Sequence, residues 1–227
     1  MDRFYISPDR WSESLSLRGE EAHHCRRVMR KRVGDAIEVF DGCGHWARGV
    51  ITALGDEVTL DIEESGESSK AKIQVELAVG IPKGKTFDLI VQKAVELGVT
   101  CIQPLMTEQG MVKISEKEAP KKTAKWQRLA LEACKQCGQN WLTKVEKPQS
   151  FSKWIHHREP ADRELIAALT PESRALRDVL SELAGDSGVV VIRVLVGPEG
   201  DFSEAEYGVC FEQEMMPVGL GNLVLRA

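Results

Sequence analysis

Val194-Leu195-Val196-Gly197-Pro198-Glu199-Gly200 decides how this chain is read. An apolar run over residues 189–196, interrupted by Arg193, stops at Gly-Pro-Glu-Gly, and Ser203-Glu204-Ala205-Glu206 then has the composition of a helix start. This is the pattern of a buried strand running into a tight loop. In an α/β sheet such a loop falls at the carboxyl edge, where these folds bind ligands. Gly219-Leu220-Gly221 makes a second glycine turn after another short apolar segment. The two loops are expected to build one site.

Upstream of that site the chain alternates strand and helix. Strands are expected over 73–79, 100–106, 165–169, 189–196 and 215–220, and helices over 87–97, 122–137, 173–184 and 203–210. Gly98 and Gly138 stand where helix-ending glycines belong. Units of this length in this order predict a parallel sheet covered by helices.

Residues 1–70 have a different rhythm. Short strands are expected over 3–6, 35–40, 46–53 and 57–62, with Leu54-Gly55-Asp56 as a hairpin turn and a short helix over 19–29. Many short strands with tight turns predict a small β-barrel. The run Glu63-Glu64-Ser65-Gly66-Glu67-Ser68-Ser69-Lys70 has linker composition, which puts the boundary between domains 1–70 and 71–227.

Composition narrows the function classes. Hydrophobic content of 42% with 29% charged residues is that of a globular protein, and no window approaches a membrane span. The beginning, Met1-Asp2-Arg3-Phe4, lacks a signal-peptide core, and six scattered cysteines suggest reduced thiols, so a cytoplasmic location is expected. A net charge of −5 argues against bulk nucleic-acid binding but leaves room for a local basic face. One exists: Arg26, Arg27, Arg30, Lys31 and Arg32 put five cations into seven residues. A β-rich module with one such edge is a candidate RNA-docking surface, though a solvated helix face is the common meaning of a charge run. A second basic stretch, 113–128, carries six cations against two acids.

Other motifs fall short. Gly80-Ile81-Pro82-Lys83-Gly84-Lys85-Thr86 has three residues, where a phosphate-wrapping P-loop needs four, between its first glycine and Gly-Lys-Thr. Lys83 and Lys85 could still meet RNA phosphates. Cys134-Lys135-Gln136-Cys137 lacks a second Cys/His pair, and adjacent His23-His24-Cys25 diverge on a helix, so no metal site is expected.

Together these pieces resemble one family. Val196-Gly197-Pro198-Glu199-Gly200, then Leu220-Gly221 leading to Leu225-Arg226, is similar to the cofactor end of the SPOUT methyltransferases. Arg3-Phe4-Tyr5, His23 with Val28-Met29-Arg30 and Val33-Gly34-Asp35, Gln92-Lys93 with Glu96-Leu97-Gly98, and Glu132-Ala133 with Gln136-Cys137-Gly138 point to the RsmE type, the 16S rRNA uridine-N3 methyltransferases. The resemblance runs in order over nearly the whole chain. It implies an N-terminal PUA-like β-barrel and a C-terminal SPOUT α/β domain with a deep trefoil knot. It also implies S-adenosylmethionine as cofactor, 16S rRNA of the small ribosomal subunit as partner, and a homodimer with active sites at the subunit interface.

Carried over residue by residue, the resemblance places the cofactor at Leu169 and Thr170, at Val196, Gly197, Pro198, Glu199 and Gly200, and at Val218, Gly219, Leu220, Gly221 and Leu225. Arg226, which directly follows the second glycine segment, is the candidate cation for the uracil oxygens, and Glu199, the nearest carboxylate, either accepts the proton or orients the loop. Lys93 joins Lys83, Lys85 and the 26–32 cluster as RNA contacts. The chain departs from the family pattern at Asp201, Gln139 and Asn222-Leu223, and it ends at Ala227, where relatives continue into a helix through the knot. Those departures keep a second expectation open, an RNA-binding or ribosome-assembly protein on the same fold that does not methylate.

Overall fold

In a computed structural model of the chain, residues 1–12, 14–182, 188 and 190–221 are described. They fall into two compact units: Met1–Lys70 together with Leu131–Leu142, and Ala71–Ala130 together with Thr143–Ala227.

The first unit is a five-stranded sheet in the order β1-β3-β4-β5-β2, made by β1 (Arg3–Tyr5), β2 (Ser16–Leu17), β3 (Ala36–Phe40), β4 (His45–Leu54) and β5 (Val58–Glu67). Alternation decides the faces. Ile37, Val39, Ala47, Ile51 and Val58 turn inward onto Phe4, Leu17, Ala22 and Cys25. The stretch with linker composition is instead mostly strand, because Glu64, Ser65, Gly66 and Glu67 pair with Arg48, Ala47, Trp46 and His45 of β4. A strand whose side chains serve polar partners needs no apolar pattern: Glu64 meets Arg48 at 3.2 Å. Gly66 lies under the Trp46 ring, where a Cβ would come within 2.9 Å.

Residues 131–142 complete this unit. Arg3 lies over Phe40 at 4.5 Å and pairs with Glu38 at 2.6 Å. It also donates to the Cys134 carbonyl at 2.8 Å, to the Gln139 carbonyl at 3.2 Å and to Asn140 Oδ1. The Arg3 side chain is therefore committed to holding the carboxyl end of a helix, an arrangement helix dipoles favour.

The second unit carries an all-parallel sheet. Its strands are β6 (Ile73–Gly80), β7 (Cys101–Met106), β8 (Lys144–Val145), β9 (Gln149–Ser150), β10 (Arg163–Ala167), β11 (Arg174–Ala175), β12 (Val190–Val196) and β13 (Met216–Gly219). The order is β11-β13-β10-β12-β6-β7-β8, with β9 also on β7. The helices after α1 (Gly19–His23) are α2 (Thr86–Glu96), α3 (Ala119–Cys137), α4 (Phe151–His157), α5 (Leu176–Glu182) and α6 (Glu204–Glu212). Gly98 and Gly138 take φ of 82° and 86°, the left-handed conformation that closes α2 and α3.

One sheet face packs Ala78, Leu105, Ile166 and Leu195 against Phe151, Trp154 and Ile155 of α4 and Cys210 of α6. The other packs Leu165, Ile192 and Val218 against Val179 of α5. Burial on both faces explains the near-continuous apolar run of β12. Helix α4 went unread in the sequence because it is only seven residues long. Its signature is nonetheless present: Ser150 caps the Lys153 amide at 3.3 Å, and Phe151, Trp154 and Ile155 are spaced for one buried face.

Arg193, the charged residue inside the β12 run, is buried at 7% exposure. Its guanidinium reaches Glu76 at 2.7 Å, Glu164 at 2.5 Å and the Glu159 carbonyl at 2.6 Å, and Glu164 is shared with Arg158. A buried charge persists only when its partners satisfy it in this way.

Candidate functional site

Three adjacent strands, β13, β10 and β12, run parallel and end at the same edge of the sheet. Register puts Ala167 beside Val218 and Ile166 beside Leu195, so the loops that follow emerge at one level. They carry Leu169 and Thr170, then Gly197 to Gly200, then Leu220 and Gly221. The structure thus brings together the residues that sequence assigned to a cofactor, up to Gly221. Leu225 and Arg226, with Asn222 and Leu223, lie outside the described residues.

The Gly197–Gly200 loop is held from several sides. Gly80 ends β6 against Pro198: a Cβ at Gly80 would lie 2.4 Å from Pro198 Cδ and 2.7 Å from its backbone nitrogen. A Cβ at Gly197 would meet Asp201 Oδ1 at 2.7 Å. Asp201 sits at φ 60° and its amide donates to the Pro198 carbonyl at 2.8 Å, closing the turn. Asp201 Oδ1 also accepts from the Phe202 amide at 2.9 Å and the Tyr207 hydroxyl at 2.8 Å. Burial, and then the Asp201 carboxylate, push the Tyr207 hydroxyl well above its usual range, so it stays a donor at neutral pH. Below the loop, α6 starts with a reciprocal capping box between Ser203 and Glu206, and Glu206 Oε1 also accepts the Glu108 amide at 2.8 Å.

The expected cofactor residues do not all present side chains. Val218 is fully buried in the α5-side core and its carbonyl accepts from the Ala168 amide at 3.1 Å. Pro198 is buried against Gly80. Thr170 Oγ1 lies 3.2 Å from Ser173 Oγ, within a turn that also ties Ser173 to the Ala168 carbonyl at 2.8 Å. What the edge exposes is the backbone of Gly200 and Gly221, Leu169 at 69%, Leu220 at 48% and the Glu199 carboxylate, whereas Gly197 is buried. Open backbone flanked by two uncovered leucines suits a ligand with a flat apolar ring and hydrogen-bonding edges, which adenosine has. Glu199 has no hydrogen bond or ion pair among the described residues.

Of the expected RNA contacts, five lie in the first unit. Helix α1 continues into a π-helical turn over His24–Val28, with the Met29 amide bonding the His24 carbonyl at 2.9 Å. Such turns recur at functional sites. Cys25 is buried there, which pushes its thiol up to about 11, while Arg27, Arg30 and Arg32 point into solvent without side-chain partners among the described residues. Lys31 differs. It is paired with Asp2 at 2.6 Å, which raises its pKa and commits it to the fold. In the second unit Lys83 and Lys85 are exposed in the loop before α2, whereas Lys93 pairs with Glu96 at 2.7 Å. Sequence reasoning missed the segment 107–113 and helix α4, which form a cleft beside the glycine loop; the Ser150 cap was the available signal.

Residues 69–227 match an RNA methyltransferase domain family, and residues 17–63 match an RNA methyltransferase PUA domain. The chain is 31% identical to ribosomal RNA small subunit methyltransferase E of Bacillus subtilis, over 100% of this chain and 91% of that protein. The crystal structure of a ribosomal RNA small subunit methyltransferase E from Neisseria gonorrhoeae bound to S-adenosyl methionine superposes with a TM-score of 0.85 at 28% identity, covering 100% of this chain and 92% of that one. A putative methyltransferase from Legionella pneumophila, in complex with the same cofactor, gives 0.85 at 28% identity, covering 99% and 90%. A PUA domain followed by a parallel α/β domain, the fold class expected from sequence, is thus the architecture of this protein. With its larger unit matched throughout and its likeness to curated relatives running end to end, the chain belongs to the RNA methyltransferase family that includes the ribosomal RNA small subunit methyltransferase E proteins.

Proposed function

We propose that this protein methylates N3 of a specific uridine in 16S rRNA of the small ribosomal subunit, using S-adenosylmethionine, and that it does so in the cytoplasm as a homodimer with a knotted catalytic domain. The observation that carries the reading is the convergence of the loops after β10, β12 and β13 at one sheet edge, with Gly200 and Gly221 exposed there beside Leu169 and Leu220. Family membership supports the reaction class, and the cofactor-bound relatives support the methyl donor. No helix among the described residues is long and apolar enough to cross a membrane.

A sulfonium methyl is already activated, so the cofactor supplies the electrophile and the protein must orient the acceptor. Uracil N3 carries a proton at neutral pH, and its loss spreads negative charge onto O2 and O4. In this proposal Glu199 accepts that proton, and Arg226 sets its guanidinium against the oxygens. Arg27, Arg30 and Arg32 hold phosphates, with Lys83 and Lys85 as further contacts.

The test is methyl transfer to 16S rRNA or small subunits, with the product mapped to N3, beside calorimetry with S-adenosylmethionine. Arg226→Ala is expected to lower turnover by about 10²-fold or more while leaving cofactor affinity near wild type. Undiminished transfer by that variant would remove Arg226 from the mechanism. A wild-type chain that binds RNA but not the cofactor would instead be an assembly factor.

A further inference from the structure

A cleft of about 390 Å³ lies in the second unit between the carboxyl end of β7, the start of α4 and the side of α6. It neighbours the glycine loop: α6 follows that loop directly, and a Cβ at Gly200 would come within 3.3 Å of the Gln109 carbonyl. Its volume is at the small end of ligand pockets, room for one nucleotide rather than several.

The cleft lining is divided by chemistry. Met106 and Val209, both half-buried, give it an apolar wall of the kind that packs against a base, backed by the buried Phe151 and Ile155. Lys113, Ser152 and His156 are exposed and bring cationic and hydroxyl groups to it. Lys113 Nζ donates one hydrogen to the Thr107 carbonyl at 2.8 Å, which fixes the ammonium and leaves two donors for a ligand. The Glu206 carboxylate faces inward, engaged by the Glu108 and Ser203 amides at 2.8 Å and 3.0 Å. Glu108 contributes a carboxylate of its own, an acceptor suited to a ribose hydroxyl.

Thr107 adds an independent sign. Its Oγ1 is a buried side-chain oxygen that lacks a hydrogen-bond partner among the described residues. Gly110 lies over it so closely that a Cβ there would be 2.7 Å away. Thr107 lines the cleft, so a polar group that the protein leaves unsatisfied belongs to a residue of its wall.

We propose that this cleft holds one nucleotide of the substrate RNA strand, its base on the Met106–Val209 wall and its phosphate on Lys113, Ser152 and His156. The proposal rests on the RNA-methyltransferase reading above and assigns the strand a seat beside the glycine loop.

The test uses the full chain and the double variant Lys113→Gln/His156→Ala, both at exposed positions. Its KM for 16S rRNA is expected to rise roughly ten-fold, the loss of about one charge-assisted hydrogen bond, while the dissociation constant for S-adenosylmethionine stays within about two-fold. In parallel, uridine 5′-monophosphate is titrated against methyl-labelled methionine, with the Met106 resonance assigned through Met106→Leu. The Met106 methyl is expected to shift in wild type and not in the double variant. An unchanged KM together with an unmoved Met106 methyl overturns the proposal. So does a Met106 shift with S-adenosylmethionine alone, joined to weaker cofactor binding in the variant, because the cleft would then belong to the cofactor. A wild type that neither binds the cofactor nor methylates would sink the proposed function, while the nucleotide titration would still decide the cleft.

Discussion

Gly80→Ala offers a direct test of how the glycine loop is held. The substitution adds one methyl group at the end of β6, pointing at Pro198, where its nearest neighbours would be Cδ at 2.4 Å and the backbone nitrogen at 2.7 Å. Ordinary contact begins at 3.4 Å, so a gap of 2.4 Å must widen by about 1 Å, and the atoms in the way belong to a ring and a backbone rather than to a flexible chain end. Gly80 does not have a positive φ, so the clash alone sets the cost. Overpacking of this kind destabilises by about 1–3 kcal/mol. For a chain of this size the melting temperature is then expected to fall by roughly 2–12 °C. The displaced element is the loop proposed to carry the cofactor, so affinity for S-adenosylmethionine should drop alongside, by roughly ten-fold or more, since misplacement by about 1 Å carries costs of that order or larger. Gly208→Ala is the control. Gly208 lies in α6, its Cβ would meet nothing within 4 Å, and alanine there should stabilise by about 0.5–1 kcal/mol with no effect on the cofactor. Calorimetric melts and titrations of both variants decide the matter. A Gly80→Ala protein that melts and binds like wild type would refute the claim that Pro198 is seated on β6.

Further expectations concern charge and thiols. Arg27→Ala/Arg30→Ala should flatten the log–log salt dependence of RNA binding by about 1.5 to 2 in slope, measured by filter binding between low and moderate salt, and an unchanged slope would acquit the patch. His45 Nδ1 lies 2.6 Å from Asp41 Oδ2, and that hydrogen bond raises the imidazole pKa. The pair therefore stabilises the fold fully below about pH 6.5, the unfolded value, and loses that contribution as pH climbs through the raised folded value. Melts of wild type and His45→Gln should accordingly converge as pH rises from acidic to mildly basic; a constant difference would show the pair to be inert. Burial pushes the Cys101 and Cys210 thiols up to about 12 and Cys25 to about 11, whereas Cys43 and Cys137 are exposed. A thiol reagent at neutral pH should modify the latter two fast and the former three only on unfolding.

The sequence disclosed the parallel sheet because its strands are buried on both faces and leave long apolar runs, as in residues 190–196. It disclosed α2 and α3 through their closing glycines. It concealed the far end of β5, whose Glu64 and Gly66 serve Arg48 and Trp46 rather than a core. Helix α4 was hidden by brevity. Within the site, Gly197-Pro198-Glu199-Gly200 was legible as a motif, but that Pro198 and Val218 turn their side chains into the protein was not. Neither was the tie between Lys31 and Asp2, since a run of cations does not reveal which member is spoken for. Inward or outward orientation is a property of packing, and composition carries no record of it.

Arg193 has one more consequence. Its Cα partners across the sheet are Glu76 on one side and Glu164 on the other, the two carboxylates its guanidinium meets. The three residues form a rung across β6, β12 and β10. Sliding β12 by one residue would turn Arg193 to the opposite face, and sliding it by two toward the carboxyl ends of its neighbours would leave its charge across from Ala78 and Ile166. The apolar residues of these strands are nearly interchangeable and would tolerate either slip, so the rung serves as the index mark that aligns them. Gly80, Gly197 and the turn after Ala167 stand at a common height when that mark is met, so the accuracy of the glycine loop is set several residues below it, at a buried charge.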